Sequence, residues 1–181
     1  NLALIGDYEQ SIDHLVTDID TAEASVHLLT YIFADDATGR KVAAALGRAA
    51  RRGVDVRVLI DAIGSRPWAR RTLAILAAEG VQCRLALPVR WWTTVRRARA
   101  DLRNHRKIAV IDGRLAYVGS QNIVDRDFRR GIVNDELVAR VEGPAAAAVA
   151  GVFASDWYLE TREILPAPPL SDTTISAVQI M

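Results

Sequence analysis

Residues 104–122 read NHRKIAVIDGRLAYVGSQN, two short apolar runs on either side of Asp112-Gly113. Asp-Gly between such runs is a strong signal for a two-residue hairpin, because both central positions need a positive φ that Asp and Gly tolerate. With that turn, Ile111 faces Arg114, Lys107 faces Val118, His105 faces Ser120 and Arg103 faces Asn122. Side chains alternate along a strand, so His105 and Lys107 share one face. Directly opposed residues point the same way, with Cβ atoms about 5 Å apart. Ser120 and Asn122 therefore join His105 and Lys107 in one polar patch at the open end of the hairpin.

Upstream, strands and helices alternate. Ile5, Tyr8, Ile12, Leu15 and Ile19 recur at helical spacing and predict an amphipathic helix over roughly 7–24. SVHLLTYIF (Ser25–Phe33) reads as a buried strand. Asp35 and Asp36 open a helix that runs to about Arg52 and stops at Gly53. VDVRVLID (Val54–Asp61) is a strand, a helix follows from about Pro67 to Glu79 before Gly80, and VQCRLALP is a third strand. This βαβαβ order predicts an α/β fold with a mixed, largely parallel sheet flanked by helices on both faces. Beyond the hairpin, NDELVARVEG (Asn134–Gly143) predicts one more strand, and Pro144 starts an Ala-rich helix to about Leu159. Residues 1–165 thus form one lobe. PAPPLSD (Pro166–Asp172) reads as the start of a linker, so 166–181 is expected to connect to a second lobe.

The composition fits a globular domain with a sizeable core: half of the 181 residues are apolar and a quarter are charged. A net charge of +1 gives no global field for a polyanion, so any such attraction is local. Cys83 is the only cysteine and lies in an apolar run, which predicts a reduced core thiol. No apolar run reaches the ~18 residues of a membrane span. The chain starts at Asn1 and ends in SAVQIM, and the expectation is of a soluble N-terminal piece of a longer protein. No glycine-rich nucleotide motif or zinc-ligand spacing is present.

The patch has a definite chemistry. A lysine ammonium, a serine hydroxyl and an asparagine amide all donate to the oxygens of an anion. A neutral histidine beside that anion can attack phosphorus or donate a proton. Phosphoryl or phosphatidyl transfer follows as the reaction class. Lysine is scarce: of 23 basic residues only Lys41 and Lys107 are lysines, and one of the two falls in this patch. Asp112 sits in the turn, which favours a structural role for it. His14 on the first helix and His27 in a buried strand read as structural. Asp61 ends its strand where α/β sheets place ligands, and it equally suits a turn cap.

The pattern His105-x-Lys107-x4-Asp112-x6-Gly119-Ser120-x-Asn122 resembles the HKD signature of the phospholipase D superfamily. Within it, YIFADDATGRKVAAAL, RRGVDVRVLIDAIGS, LRNHRKIAVIDGR and VEGP resemble runs of bacterial cardiolipin synthases, over roughly Gly6 to Leu159. The resemblance implies a catalytic set of His105, Lys107, Asp112 and Glu136, with Lys107, Ser120 and Asn122 holding the substrate phosphate. His105 would be the nucleophile or the acid. Glu136, with Asp135 as the alternative, would be the carboxylate that orients it. The family needs no metal and no cofactor, and two HKD motifs meet at its site. This chain carries one motif, so its implied partner is a second HKD lobe in the same parent chain or a homodimer partner. It has Gly-Ser and DRDFRRGIVNDE where the family more often has Gly-Gly and a Trp-Arg-Asp run. The implied substrate is a phospholipid such as phosphatidylglycerol, with the parent protein at the bacterial cytoplasmic membrane.

The segment RWWTTVRRARADLRNHRK sets Arg90, Arg96, Arg97, Arg99, Arg103, Arg106 and Lys107 against the single acid Asp101. Trp91, Trp92, Arg96, Arg97, Arg99 and Arg103 are the expected contact with an anionic membrane surface, since amphipathic rings settle at headgroup level. Arginine with aromatics also suits single-stranded nucleic acid. Two alternatives therefore accompany a phosphatidyltransferase: a phosphodiesterase or nuclease working as a homodimer, and a lobe that binds anionic lipid without catalysis.

Overall fold

The computed structural model describes residues 1–88 and 103–166. Its strands are β1 (Leu2–Ile5), β2 (Ser25–Thr30), β3 (Asp55–Asp61), β4 (Gln82–Ala86), β5 (Lys107–Ile111), β6 (Leu115–Gly119) and β7 (Val138–Glu142). Its helices are α1 (Tyr8–Asp20), α2 (Ala37–Arg51), α3 (Ala69–Ala78) and α4 (Pro144–Thr161). All seven strands join one sheet in the order β1-β7-β6-β5-β2-β3-β4. Trp91, Trp92, Arg96, Arg97 and Arg99, and the linker after Pro166, lie outside the described residues.

The sheet is mixed. β2, β3 and β4 are parallel, each step made by a crossover helix. From β5 onward every pairing is antiparallel, because the chain returns through a hairpin and short connections. The largely parallel sheet expected from the helix–strand alternation thus holds only for the β2–β3–β4 half. β1 was not expected: Ile5 reads as the start of a helical stripe, yet Leu2–Ile5 pairs with β7 as the edge strand. Side-chain caps set two helix starts. Asp7 accepts from Gln10 N–H at 2.7 Å, and Asp36 accepts from Gly39 N–H at 2.9 Å.

Strand alternation sends residues to two cores. Val26, Leu28, Val56, Val58, Ala109 and Ile111 pack under α1, α2 and α3 with Ile12, Leu15, Leu46 and Leu76. Leu29, Leu59 and Ile108 meet Phe153 and Trp157 of α4 on the other face, and Val110 and Ala116 meet Ala146 and Ala150. Helices therefore cover both faces, as the sequence predicts. Cys83 is buried, which pushes its thiol up to about 12.

His27 stacks on Phe153 with centroids 4.7 Å apart, and its Nε2 is buried without a hydrogen-bond partner among the described residues. Burial pulls its pKa down to about 4. The folded state thus resists a proton that the unfolded chain accepts near 6.5. Stability is expected to be full above pH 6.5 and to fall by up to about 3 kcal/mol as pH drops towards 4. Urea denaturation of the wild type and of His27→Leu at pH 7.5 and 4.5 checks this; the variant should lose less on acidification.

The hairpin turn differs from the two-residue expectation. Asp112 and Gly113 do take positive φ, 52° and 65°, and Arg114 N–H donates to Ile111 carbonyl at 3.1 Å. Arg114 is then left over, so Ile111 pairs with Leu115 and Lys107 with Gly119. A one-residue slip turns every side chain of β6 to the opposite face. Ser120 is consequently not opposed to His105.

Asp112 lies at the far end of the hairpin, roughly 24 Å from His105 at ~3.4 Å per strand residue. Its carboxylate accepts from the N–H groups of Glu23, Ala24 and Ser25 at 3.1, 2.8 and 2.9 Å. Burial acts to raise its pKa, but those three donors prevail and hold it below the usual range. The expected catalytic place for Asp112 is therefore corrected to a clasp between the hairpin turn and the start of β2.

Candidate active site

The chain crosses one edge of the sheet repeatedly: after β2, before β5, after β6 and before β7. This is the edge beyond the carboxyl ends of the parallel strands, where open α/β sheets place ligands. A cleft of about 210 Å³ opens there, lined among others by Tyr31, His105, Lys107, Asn122 and Glu136.

His105 stands two residues ahead of β5 and is exposed. Its ring stacks on Tyr31, centroids 4.0 Å apart and planes 23° from parallel. Lys107 is the first residue of β5 and half-buried; its Nζ donates to the His105 carbonyl at 2.6 Å and lies 5.5 Å from the Tyr31 centroid. Burial draws the Lys107 ammonium below the usual lysine range, and the negative charge of Glu136 opposes that shift. An ammonium losing water in this way is stabilised by an arriving anion.

Asn122 reaches the cleft although the register places it off the β6 ladder, because the chain leaves the sheet after Gly119. Its Oδ1 accepts from Ile32 N–H at 3.0 Å, which aims the amide NH2 outward. Ile123 N–H donates to the Ile32 carbonyl, and Ala34 N–H donates to the Ile123 carbonyl, tying this loop to the end of β2. Glu136 lines the cleft, whereas Asp135 is 84% exposed and pairs with Arg126. Of the two carboxylates, Glu136 is the one that shares the cleft with His105 and Lys107.

Ser120 is exposed and not among the cleft residues. Its Oγ accepts from Leu137 N–H at 3.2 Å and its own N–H donates to the Leu137 carbonyl, so it joins β6 to the approach of β7. Gly119 serves the same junction: a Cβ there would lie 2.3 Å from the Leu137 carbonyl oxygen. Within the described residues the expected phosphate ligands thus reduce to Lys107 and Asn122.

Arg103 does not present a surface. Its side chain is 5% exposed and pairs with Asp61, itself 1% exposed, through Nη2–Oδ1 at 2.9 Å. Nη1 also donates to the Leu87 carbonyl at 2.9 Å. Asp61 accepts in addition from Ile63 and Gly64 N–H, both at 2.9 Å, so it is a turn cap and an ion-pair partner together. Arg103 is thus bound for the interior, which composition does not show.

The sequence reading missed Tyr31, Tyr8, Phe128, Arg129 and Asn134 as cleft residues. Tyr31 and Tyr8 pass for strand and helix core residues. Tyr8 donates its hydroxyl to the Val124 carbonyl at 2.7 Å, which keeps the loop after Asn122 in place.

A half-buried lysine, a histidine, an outward amide and a carboxylate thus line one cleft at the carboxyl edge of this sheet. The family described as "Cardiolipin synthase, PLD-like domain" matches residues 15–157, and the chain belongs to it. The chain is 36% identical over 174 residues to cardiolipin synthase A of Pectobacterium carotovorum, covering 93% of this chain and 36% of that protein. Cardiolipin synthase A of Citrobacter koseri is also 36% identical, over 178 residues and the same shares. The chain thus spans about a third of the length of these curated relatives. Among solved structures, the phospholipase D family member Nuc from Salmonella typhimurium shares the fold, with a TM-score of 0.66 at 22% identity, over 88% of this chain and 95% of that one.

Proposed function

We propose that the chain is one catalytic lobe of a cardiolipin synthase-type phosphatidyltransferase acting on phosphatidylglycerol. The observation that carries this is the shared cleft of His105, Lys107, Asn122 and Glu136, in a chain 36% identical to cardiolipin synthases. An imidazole nitrogen of His105 attacks phosphorus, and the bond from phosphorus to the glycerol oxygen breaks. Lys107 and Asn122 neutralise the non-bridging oxygens, and Glu136 orients the imidazole. The hydroxyl of a second phosphatidylglycerol then attacks phosphorus, the N–P bond breaks, and cardiolipin leaves.

One histidine does not complete this cycle. While His105 is bonded to phosphorus it has no proton to give the departing glycerol alkoxide. His105 is the one histidine at the cleft among the described residues. The second histidine comes from a further lobe or a second copy, and the open cleft receives it. Work on a lipid substrate places the reaction at a membrane surface; among the described residues no helix is long and apolar enough to cross one.

The test is to incubate the protein with phosphatidylglycerol vesicles and quantify cardiolipin and glycerol. Their appearance in equal amounts supports the reading. Cleavage of a single-stranded oligonucleotide in preference to lipid overturns it in favour of a nuclease.

A further inference from the structure

We infer that Tyr31 is a positioning residue for His105 and that the turn Asp61–Ser65 seats it; this rests on reading His105 as the reacting histidine. His105 lies outside the hydrogen-bonded ladder of β5, which begins at Lys107. Its ring is exposed and lies on the ring of Tyr31, centroids 4.0 Å apart, so Tyr31 limits its tilt and position while Glu136 acts on its edge in the proposed cycle. The centroid of the same ring lies 5.5 Å from Lys107 Nζ, so one aromatic plate neighbours both the histidine and the lysine of the motif.

Tyr31 is itself held at its carbonyl and along one ring edge. A Cβ at Gly64 would lie 2.3 Å from the Tyr31 carbonyl oxygen and 2.7 and 2.8 Å from ring atoms Cε2 and Cδ2, so only glycine admits the ring there. Ser65 Oγ donates to the Tyr31 carbonyl at 3.0 Å and accepts from Phe33 N–H at 3.0 Å. Ile32 N–H is taken by Asn122. Asp61 fixes the turn by accepting from Ile63 and Gly64 N–H. The series Asp61, Gly64, Tyr31, His105 is thus a continuous run of contacts from the buried end of β3 to the exposed imidazole.

Losing the plate leaves His105 chemically intact but free to swing. A misplacement of about 1 Å costs on the order of 10²-fold in rate. Two readouts separate positioning from mere structure. In the proton NMR spectrum of the chain, with His105→Ala assigning the resonance, the imidazole signal of His105 should carry the upfield ring-current shift of a stacked ring. Tyr31→Leu and Gly64→Ala should move it downfield, and Tyr31→Phe should keep it. In the active assembly with phosphatidylglycerol, Tyr31→Leu should lower kcat about 10²-fold with KM unchanged, and Tyr31→Phe should restore it. A His105 signal and kcat unmoved in both Tyr31→Leu and Gly64→Ala would overturn the proposal. If His105→Ala itself leaves turnover intact, the functional reading fails, while the NMR arm still decides whether Tyr31 orients the ring.

Discussion

Turnover of phosphatidylglycerol by the His105→Ala variant is expected to fall at least about 10³-fold, with the fold retained. The loss is large because no neighbouring group replaces the nitrogen. Lys107 is committed to charge neutralisation, and Asn122 and Glu136 form no covalent bond to phosphorus in the proposed cycle. The fold survives because His105 is exposed and its stacking on Tyr31 is its principal packing. Stability should change by no more than about 1 kcal/mol. Rapid acid or base quench with labelled lipid checks the covalent step: label stable to base and labile to acid should remain on the wild type and be missing from the variant. A variant that turns over normally would remove His105 from the chemistry.

The second large effect is on stability. Arg103→Ala should destabilise the lobe by about 3–5 kcal/mol, because it strands the Asp61 carboxylate in the interior. Arg103 and Asp61 share three bonds of 2.9–3.2 Å, at 5% and 1% exposure. The two backbone N–H groups that also reach Asp61 do not replace a guanidinium. For a domain of this size the loss corresponds to a melting temperature lower by roughly 6–20 °C. The double variant Arg103→Met/Asp61→Asn should recover much of it, since removing both charges also removes the burial cost. Urea denaturation of Arg103→Met, Asp61→Asn and the double variant completes the cycle. An Arg103→Ala protein as stable as wild type would mean that water reaches Asp61.

Most of the scaffold is legible from local rules. Periodicity marks α1, Asp36 and Gly53 bracket α2, and β-rich runs give β2, β3 and β4. The motif brings His105, Lys107 and Asn122 together in the sequence reading and in the structure. What is illegible depends on choices that local pattern does not make. Asp112-Gly113 forms its turn, but nothing nearby announces that Arg114 is left unpaired, and that single residue decides where Ser120 points. β1 has four residues, too few to show a period, and exists because β7 offers an open edge. Arg103 is one arginine in a basic run, and its partner Asp61 is 42 residues away. Tyr31 ends an apolar run and reads as core; only the Gly64 approach and the return of His105 show it to be part of the cleft.

The pairing of β2 with β5 has a consequence for the order of folding. β2, β3 and β4 are joined by short crossovers and can organise early. The clasp of Asp112 on Ser25 closes a separation of 87 residues, and such long closures are slow. The β2–β5 border is therefore the natural seam between an early and a late cooperative unit, and local opening is expected to follow it. Tyr31 belongs to one side of that seam and His105 to the other. A lobe with its late unit detached keeps the aromatic plate and loses the imidazole above it, so the stacked pair forms only when the last strands dock.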